Sequence, residues 1–111
     1  MKINKTEKST IGIKISVEED GKELGRAWLY LIHNDLHAEP YGLLEDVYVD
    51  ETQRGQGVGR KLLEQIIEEA KNRGCYKLLA TSRKSNEQVH AWYKRAGFLE
   101  HGLEFRMDLL K

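Results

Sequence analysis

The chain has 111 residues, enough for one domain with a single hydrophobic core. Its 18 basic and 18 acidic residues cancel, which disfavours a nucleic-acid partner because phosphate contacts need a basic excess. Hydrophobic residues make up 40% and charged residues 32% of the chain, which is typical of a soluble globular domain and excludes a disordered one.

The first half of the chain is typical of strands joined by turns. Residues 11–17 alternate apolar and polar side chains, which predicts a half-buried strand. The pair Asp20-Gly21 is a strong hairpin signal, and residues 24–32 form the predicted return strand. Residues 33–42 contain the one proline and predict a loop before a third strand over residues 43–49.

The middle of the chain changes to a helical period. Apolar residues recur every three or four positions over residues 58–70, with charged residues between them, and this predicts an amphipathic helix. Gly74 is suited to end that helix as the residue just beyond its last turn. A short fourth strand is predicted over residues 76–81.

A second helix is predicted near the end of the chain. Ser85 and Gln88 match a capping box, with Ser85 as N-cap, and Gly97 is expected to stop the helix. Residues 98–110 can then supply one or two final strands. The predicted order indicates a mixed α/β sheet in a single domain over residues 1–111.

The densest chemical motif is a glycine-rich turn between the third strand and the first helix, Arg54-Gly55-Gln56-Gly57-Val58-Gly59-Arg60. Unpaired N–H groups at a helix start favour an anion, and glycines let the backbone approach a phosphate, so the turn predicts a phosphate cradle. A Walker A loop would end in Gly-Lys-Ser/Thr, and a dinucleotide fingerprint would need a glycine where Arg60 stands. Neither nucleotide motif fits.

The turn and a second motif together resemble the GNAT family of N-acetyltransferases. Arg54 to Gly59 match that family's Arg/Gln-x-x-Gly-x-Gly/Ala motif, and Asn86 to Phe98 resemble its second signature, with Val89 where alanine is usual. The resemblance implies a mixed, mostly antiparallel twisted sheet with splayed central strands and two main helices. It also implies that the family's N-terminal strand and helices are reduced or absent here, because the hairpin begins near residue 11.

The resemblance further implies acetyl-CoA as cosubstrate. In such enzymes the pantetheine arm pairs with backbone groups of the family's fourth strand, which corresponds to the third strand predicted here, at Val47 and Val49. The pyrophosphate would lie on the turn, where the implied residues are Arg54, Gly55, Gln56, Gly57, Val58, Gly59 and Arg60. Asn86 matches the residue that hydrogen-bonds the cofactor arm, and Tyr93 matches the tyrosine that protonates the departing thiolate.

The chemistry of amine acetylation also needs a base. A primary amine with a pKa near ~10.4 is protonated at neutral pH and cannot attack until it loses a proton. Glu45 resembles the glutamate that some members place beside the thioester, and Asp46 is the alternative. On a regular strand Glu45 and Val47 would share one face, with Asp46 and Tyr48 on the other. The Val47 N–H could stabilise the oxyanion of a tetrahedral intermediate, and no covalent enzyme intermediate is required.

Cysteine, histidine and apolar residues indicate which covalent links, metal sites and cellular location to expect. Cys75 is the sole cysteine, which excludes a disulfide framework and predicts an inert thiol, and the four histidines lack metal-site spacing, so no metal is expected. No apolar run approaches ~18 residues, and residues 1–10 lack the apolar core of a signal peptide. We therefore expect a cytoplasmic protein with no membrane partner.

The acceptor and the catalytic competence remain open at this level. The expected acceptor is a small-molecule or peptide amine, and the alternative function is a non-catalytic acyl-CoA-binding or regulatory module on the same fold. A small nucleic-acid or protein-interaction domain has only local basic residues in its favour. Because the segment before the hairpin is short, we expect an acceptor cleft that is open or completed by a second subunit in a homodimer.

Overall fold

The structure is a computed structural model that describes residues 1–110. It divides into two compact units, Met1–Ala80 and the segment from Thr81 onward, and each is described by itself. The single-domain arrangement stays a prediction. The first unit contains the sheet and one helix, and the second contains the other helix.

The hairpin opens the first unit. β1 (Ile11–Glu19) and β2 (Lys22–Ile32) pair antiparallel, as predicted. Asp20 and Gly21 connect them with φ of 51° and 77°, the left-handed conformations that a two-residue hairpin turn requires. The turn follows from its own two residues, because aspartate and glycine are the residue types that tolerate positive φ.

The remaining strands complete a mixed sheet in the order β1-β2-β3-β4. β3 (Tyr41–Val49) runs antiparallel to β2, and β4 (Leu78–Ala80) runs parallel to β3. The sheet is mostly antiparallel, which confirms the predicted fold class. β4 is shorter than the strand predicted over residues 76–81, because only residues 78–80 pair with β3.

One helix covers one face of the sheet. α1 (Val58–Asn72) places Leu62 and Ile66, both fully buried, on that face, where Leu29 of β2 is also fully buried. Burial of each such side chain contributes about 1.5–3 kcal/mol. Gly25 of β2 permits the close approach, since a Cβ there would lie 2.9 Å from Val58 Cγ1.

A bulge interrupts β3 where the site residues begin. Trp28 of β2 faces Glu45, and Arg26 faces Tyr48, so the register shifts by one residue between these pairs. Arg26 and Trp28 are two apart on one strand and share a face, so Glu45 and Tyr48 also share that face. The expected alternation, with Glu45 and Tyr48 on opposite faces, is therefore wrong, because the extra residue of the bulge resets it.

The second unit is built around α2 (Glu87–Ala96). Its N-cap is Asn86 and not Ser85 as predicted, because the Asn86 side chain accepts a hydrogen bond from the Val89 N–H at 3.3 Å. Asparagine is at least as strong an N-cap as serine, which explains the shift of one residue. Gly97, with φ of 108°, ends the helix as predicted.

The final strands expected over residues 98–110 are absent from the described part of the chain. That segment carries no strand, and its large apolar side chains from Leu99 onward are mostly exposed. Leu103, Phe105 and Met107 alternate with charged residues as a half-buried strand would. The pattern alone does not make a strand, because a strand also requires a paired neighbour to satisfy its backbone groups.

Candidate active site

One edge of β3 is open along the half that carries the predicted cofactor residues. β4 pairs with β3 at Gly42, Leu43 and Leu44 only, and β3 continues to Val49. Within residues 1–110, no strand pairs with that edge beyond Leu44. Backbone groups along such an edge can pair with an extended ligand, as in strand addition. Val47 and Val49 lie on this stretch, and both are half-buried.

An arginine and an aspartate meet at the bulge on the same strand. Asp46 has φ of 51°, a left-handed conformation that is uncommon outside glycine. Arg26 of β2 donates to it through Nε to Oδ2 at 2.9 Å and through Nη2 to Oδ1 at 3.4 Å. The same guanidinium lies 4.8 Å from the centre of the Tyr48 ring. Arg26 therefore contacts the residues on both sides of Val47.

The two candidate bases differ in their surroundings. The hydrogen bond from Arg26 holds the pKa of Asp46 below its ordinary value, and this lowers the basicity of the Asp46 carboxylate. Glu45 is exposed and lies opposite Trp28 on the same face of the sheet. Because the Asp46 carboxylate is held in an ion pair with Arg26, Glu45 is the better candidate to accept a proton.

The glycine-rich turn begins with a capped 3-10 segment, Glu51–Gln53. Asp50 accepts hydrogen bonds from the Thr52 backbone N–H at 3.0 Å and hydroxyl at 2.8 Å, and these bonds lower the pKa of Asp50. Gly55 and Gly57 then adopt φ of 82° with open space where a side chain would project. Such a turn lets a ligand approach the backbone closely.

The first turn of α1 lacks both an acidic residue and a side-chain cap. Its N-cap, Gly57, provides no side-chain cap, and the first turn contains no acidic residue. The first helical bond runs from the Lys61 N–H to the Gly57 carbonyl at 3.1 Å. The N–H groups of Val58, Gly59 and Arg60 therefore precede the helical ladder and point toward the site where an anion would lie.

Two predicted phosphate donors are already used within the turn. The Arg54 N–H donates to the Glu51 carbonyl at 3.4 Å, and the Gln56 N–H donates to the Gln53 carbonyl at 3.2 Å. The Arg60 side chain is exposed, with Nε 3.9 Å from the Glu64 carboxylate. The donors that remain are thus concentrated at the first turn of α1.

The second unit positions Asn86 and Tyr93 on one short helix. Asn86 uses its side-chain oxygen to cap α2, which leaves its NH2 group as the donor for any ligand. Tyr93 is half-buried, and its ring centre lies 5.4 Å from that of Trp92 and 5.3 Å from that of Phe98. These contacts restrict the tyrosine ring.

Several residues fall outside this arrangement. Burial raises the pKa of the half-buried Cys75 thiol, in keeping with an unreactive cysteine. His37 lies in a loop against Tyr76, with ring centres 4.1 Å apart. Over residues 1–110 there is no group of three or more histidine, cysteine or acidic residues that could hold a metal ion. No helix in that range is long and apolar enough to cross a membrane.

Sequence reasoning missed Arg26 and the bulge. Arg26 lies on a different strand, and no local motif indicates that it pairs with a residue 20 positions away. The one available indication was the residue type at position 46, because aspartate tolerates left-handed φ better than most residues.

The fold and site define a mixed α/β protein with an open strand edge followed by an anion-receptive turn. The chain belongs to the acetyltransferase (GNAT) family, whose family model matches residues 3–98. This confirms the resemblance drawn from the two sequence motifs.

Individual relatives agree with the family assignment. Aminoglycoside N(6')-acetyltransferase type 1 from Stenotrophomonas maltophilia is 37% identical over 95 residues, which cover 81% of this chain and 62% of the relative. Glucosamine 6-phosphate N-acetyltransferase from Trypanosoma brucei brucei is 37% identical over 61% of this chain and 44% of its own length. The chain thus spans about half to two thirds of these relatives.

A solved structure supports the same fold. The crystal structure of a Trypanosoma brucei acetyltransferase superposes with a TM-score of 0.77 at 28% identity, covering 90% of this chain and 69% of that one.

Proposed function

We propose that the protein is an N-acetyltransferase that transfers acetyl from acetyl-CoA to a primary amine by direct attack. The single observation that carries this proposal is the open edge of β3 beyond Leu44, which leads into the turn and the uncapped start of α1. An extended pantetheine arm with a pyrophosphate at its end matches these two features in order.

The proposed acceptor is a small-molecule or peptide amine. Two of the relatives are named as an aminoglycoside N(6')-acetyltransferase and a glucosamine 6-phosphate N-acetyltransferase, and both of these named compounds carry an amine on a sugar. An amino sugar is therefore the first acceptor class to assay, followed by polyamines, amino acids and peptide N-termini.

The proposed roles are those that the family resemblance implies, and the chemistry of each group fits them. Glu45, directly or through water, takes the proton from the ammonium form of the acceptor. The free amine attacks the thioester carbonyl, and the Val47 N–H stabilises the oxyanion. The C–S bond then breaks, the Tyr93 hydroxyl protonates the departing thiolate, and the nitrogen loses its extra proton through water, which restores the tyrosine hydroxyl and leaves the neutral amide. Val49 and the first turn of α1 bind the cofactor arm and pyrophosphate, and the Asn86 NH2 group donates to the arm.

The direct test is binding and turnover with the full chain. We expect isothermal titration to detect acetyl-CoA binding below ~1 mM and a thiol-release assay to respond to at least one amine of the panel. No binding at that concentration would contradict the proposal. Binding with no thiol release from any amine would instead support the non-catalytic acyl-CoA-binding module.

Tyr93 is tested by removing only its hydroxyl. We expect Tyr93→Phe to lower kcat by ~10-fold or more with little change in the affinity for acetyl-CoA, because a proton donor acts in the transition state. Tyr76→Phe is the matched control, since Tyr76 packs against His37 outside the proposed machinery. An unchanged kcat in Tyr93→Phe would remove it from the acid role.

We also propose that the active form is a cytoplasmic homodimer in which a second copy completes the acceptor site. The observation behind this proposal is that residues 1–10 form no helix or strand that could wall an acceptor site. Light scattering that gives a monomer mass across the working concentration range would reject the dimer, and cell fractionation tests the location.

A further inference from the structure

We propose that Arg26 and Asp46 are a positioning pair that holds the β3 bulge in the shape that presents the Val47 N–H to the thioester carbonyl. The proposal rests on the proposed acetyl transfer, because it assigns how the oxyanion donor of that reaction is aimed. Neither residue is placed in contact with the reacting atoms.

The first observation is that the bulge adopts a disfavoured backbone. Asp46 has φ of 51°, where the Cβ of an L-residue crowds the backbone. A regular strand is available to the same residues and would shift the register against β2 by one position. Something must therefore favour the bulged form over the regular one.

The second observation is that one guanidinium contacts both neighbours of Val47. Arg26 donates to Asp46 at 2.9 Å and 3.4 Å, and it stacks on the Tyr48 ring at 4.8 Å. Arg26 also pairs in register with Tyr48 across the two strands. In a regular strand that kept the Trp28–Glu45 pairing, Arg26 would face Val47, and Asp46 and Tyr48 would both lie on the opposite face, so Arg26 could contact neither.

The third observation distinguishes this pair from an ordinary surface ion pair. Glu69 on α1 and Arg73, the residue just after that helix, form a comparable contact, Nε to Oε2 at 3.1 Å, with similar side-chain exposure and no bulge. Exposed ion pairs usually contribute little, and Arg73–Glu69 is expected to follow that rule. The Arg26–Asp46 pair differs because one of its members, Asp46, has the positive φ of the bulge.

The test compares four variants of the full chain: Arg26→Met, Asp46→Ala, Asp46→Gly and the control Arg73→Met. We expect Arg26→Met and Asp46→Ala to lower kcat by ~10-fold or more, with KM for acetyl-CoA changed less than ~3-fold. Asp46→Gly should recover at least ~3-fold of the kcat lost in Asp46→Ala, because glycine adopts positive φ without the ion pair. Arg73→Met should match the wild type.

Equal kcat in the alanine and glycine variants, or a change in KM alone, would overturn the positioning role. Amide hydrogen exchange separates this outcome from failure of the proposed function. Arg26→Met should speed exchange at Val47 and Tyr48 by ~10-fold relative to the β1–β2 turn, whether or not the wild type turns over. Wild-type protein without turnover would reject the acetyl transfer, and unchanged exchange at Val47 would reject the positioning pair.

Discussion

At the scale of single residues, two neighbouring carboxylates have different surroundings. Asp46 is bound by Arg26, and Glu45 faces Trp28 without such a partner among the described ion pairs. A base must be able to accept a proton near the working pH, and an ion pair to arginine opposes that. The assignment of Glu45 therefore rests on contacts across the strands, which the local sequence could not distinguish.

Replacing Glu45 tests this division of roles. We expect Glu45→Gln to lower kcat by ~10-fold or more at about pH 7 and to lose less at higher pH, where more of the amine is already deprotonated. The measurement is the pH profile of kcat with the best acceptor found. A loss that is equal at every pH would indicate that Glu45 supports the structure and does not take the proton.

For Asp46 we expect an effect on the stability of the fold that depends on pH. Its pKa is lowered in the folded chain, so its ionised form stabilises the fold above the ordinary aspartate value of ~3.9, and this contribution disappears as the pH falls through the lowered value. We expect the urea midpoint of Asp46→Asn to lie below that of the wild type from about pH 5 to about pH 7, and the difference to shrink as the pH falls below the ordinary aspartate value.

The partner of Asp46 provides the control for that measurement. In an Arg26→Met background the same Asp46→Asn change should give a difference in midpoint that no longer depends on pH, because the hydrogen bond from Arg26 is the main cause of the lowered pKa. A persistent pH dependence in that background would assign the shift to another group.

At the scale of elements, a role of the turn before α1 in binding can be distinguished by mutation from its role in ending or starting a helix. Gly57 at the start of α1 and Gly74 just beyond its end have φ of 82° and 76°, and each has open space for a Cβ. Alanine at either position should cost about 1–2 kcal/mol of unfolding free energy. Only Gly57→Ala should also raise the acetyl-CoA Kd, by ~10-fold or more, because only Gly57 adjoins the proposed pyrophosphate site.

Calorimetric titration of the two alanine variants measures this difference. Similar losses of affinity in both would show that the turn acts through stability alone.

The approach of α1 to β2 makes a separate prediction about packing. A Cβ at Gly25 would lie 2.9 Å from Val58 Cγ1 and 3.0 Å from the Tyr48 carbonyl oxygen, which is backbone and cannot easily move. We expect Gly25→Ala to destabilise the fold by ~1–3 kcal/mol in urea unfolding. Gly102→Ala, with nothing within 4 Å, is the control and should change stability by less than ~0.5 kcal/mol.

The elements that were predictable from the sequence are those with local causes. The Asp20-Gly21 hairpin, the helical period of α1 and the stop at Gly97 each depend on residues within one element, and the structure contains all three. The bulge at Asp46 is visible only in the pairing of β3 with β2, so periodicity along β3 alone assigned the wrong faces to its residues. The glycine turn was located correctly, but the use of the Arg54 N–H inside it required the fold.

At the scale of the whole molecule, the buried core of the sheet and α1 contrasts with an exposed segment over residues 99–110. Leu29, Leu62 and Ile66 are fully buried, whereas residues 98–110 carry no strand and expose Phe105 at 89%. Backbone amides exchange slowly only where hydrogen bonding and burial protect them. The contrast between these two regions therefore predicts a contrast in exchange.

Hydrogen exchange on the full chain measures that contrast directly. We expect amides of β2 and α1 to be protected by at least ~10³-fold, as the usual stability of a domain allows, and amides of residues 99–110 to exchange at nearly unprotected rates in dilute protein. The alternating apolar residues of that segment have strand periodicity, so protection that rises with concentration would show that they pair with a second copy. Protection independent of concentration would instead show that they pair within their own chain and would contradict the exposed arrangement.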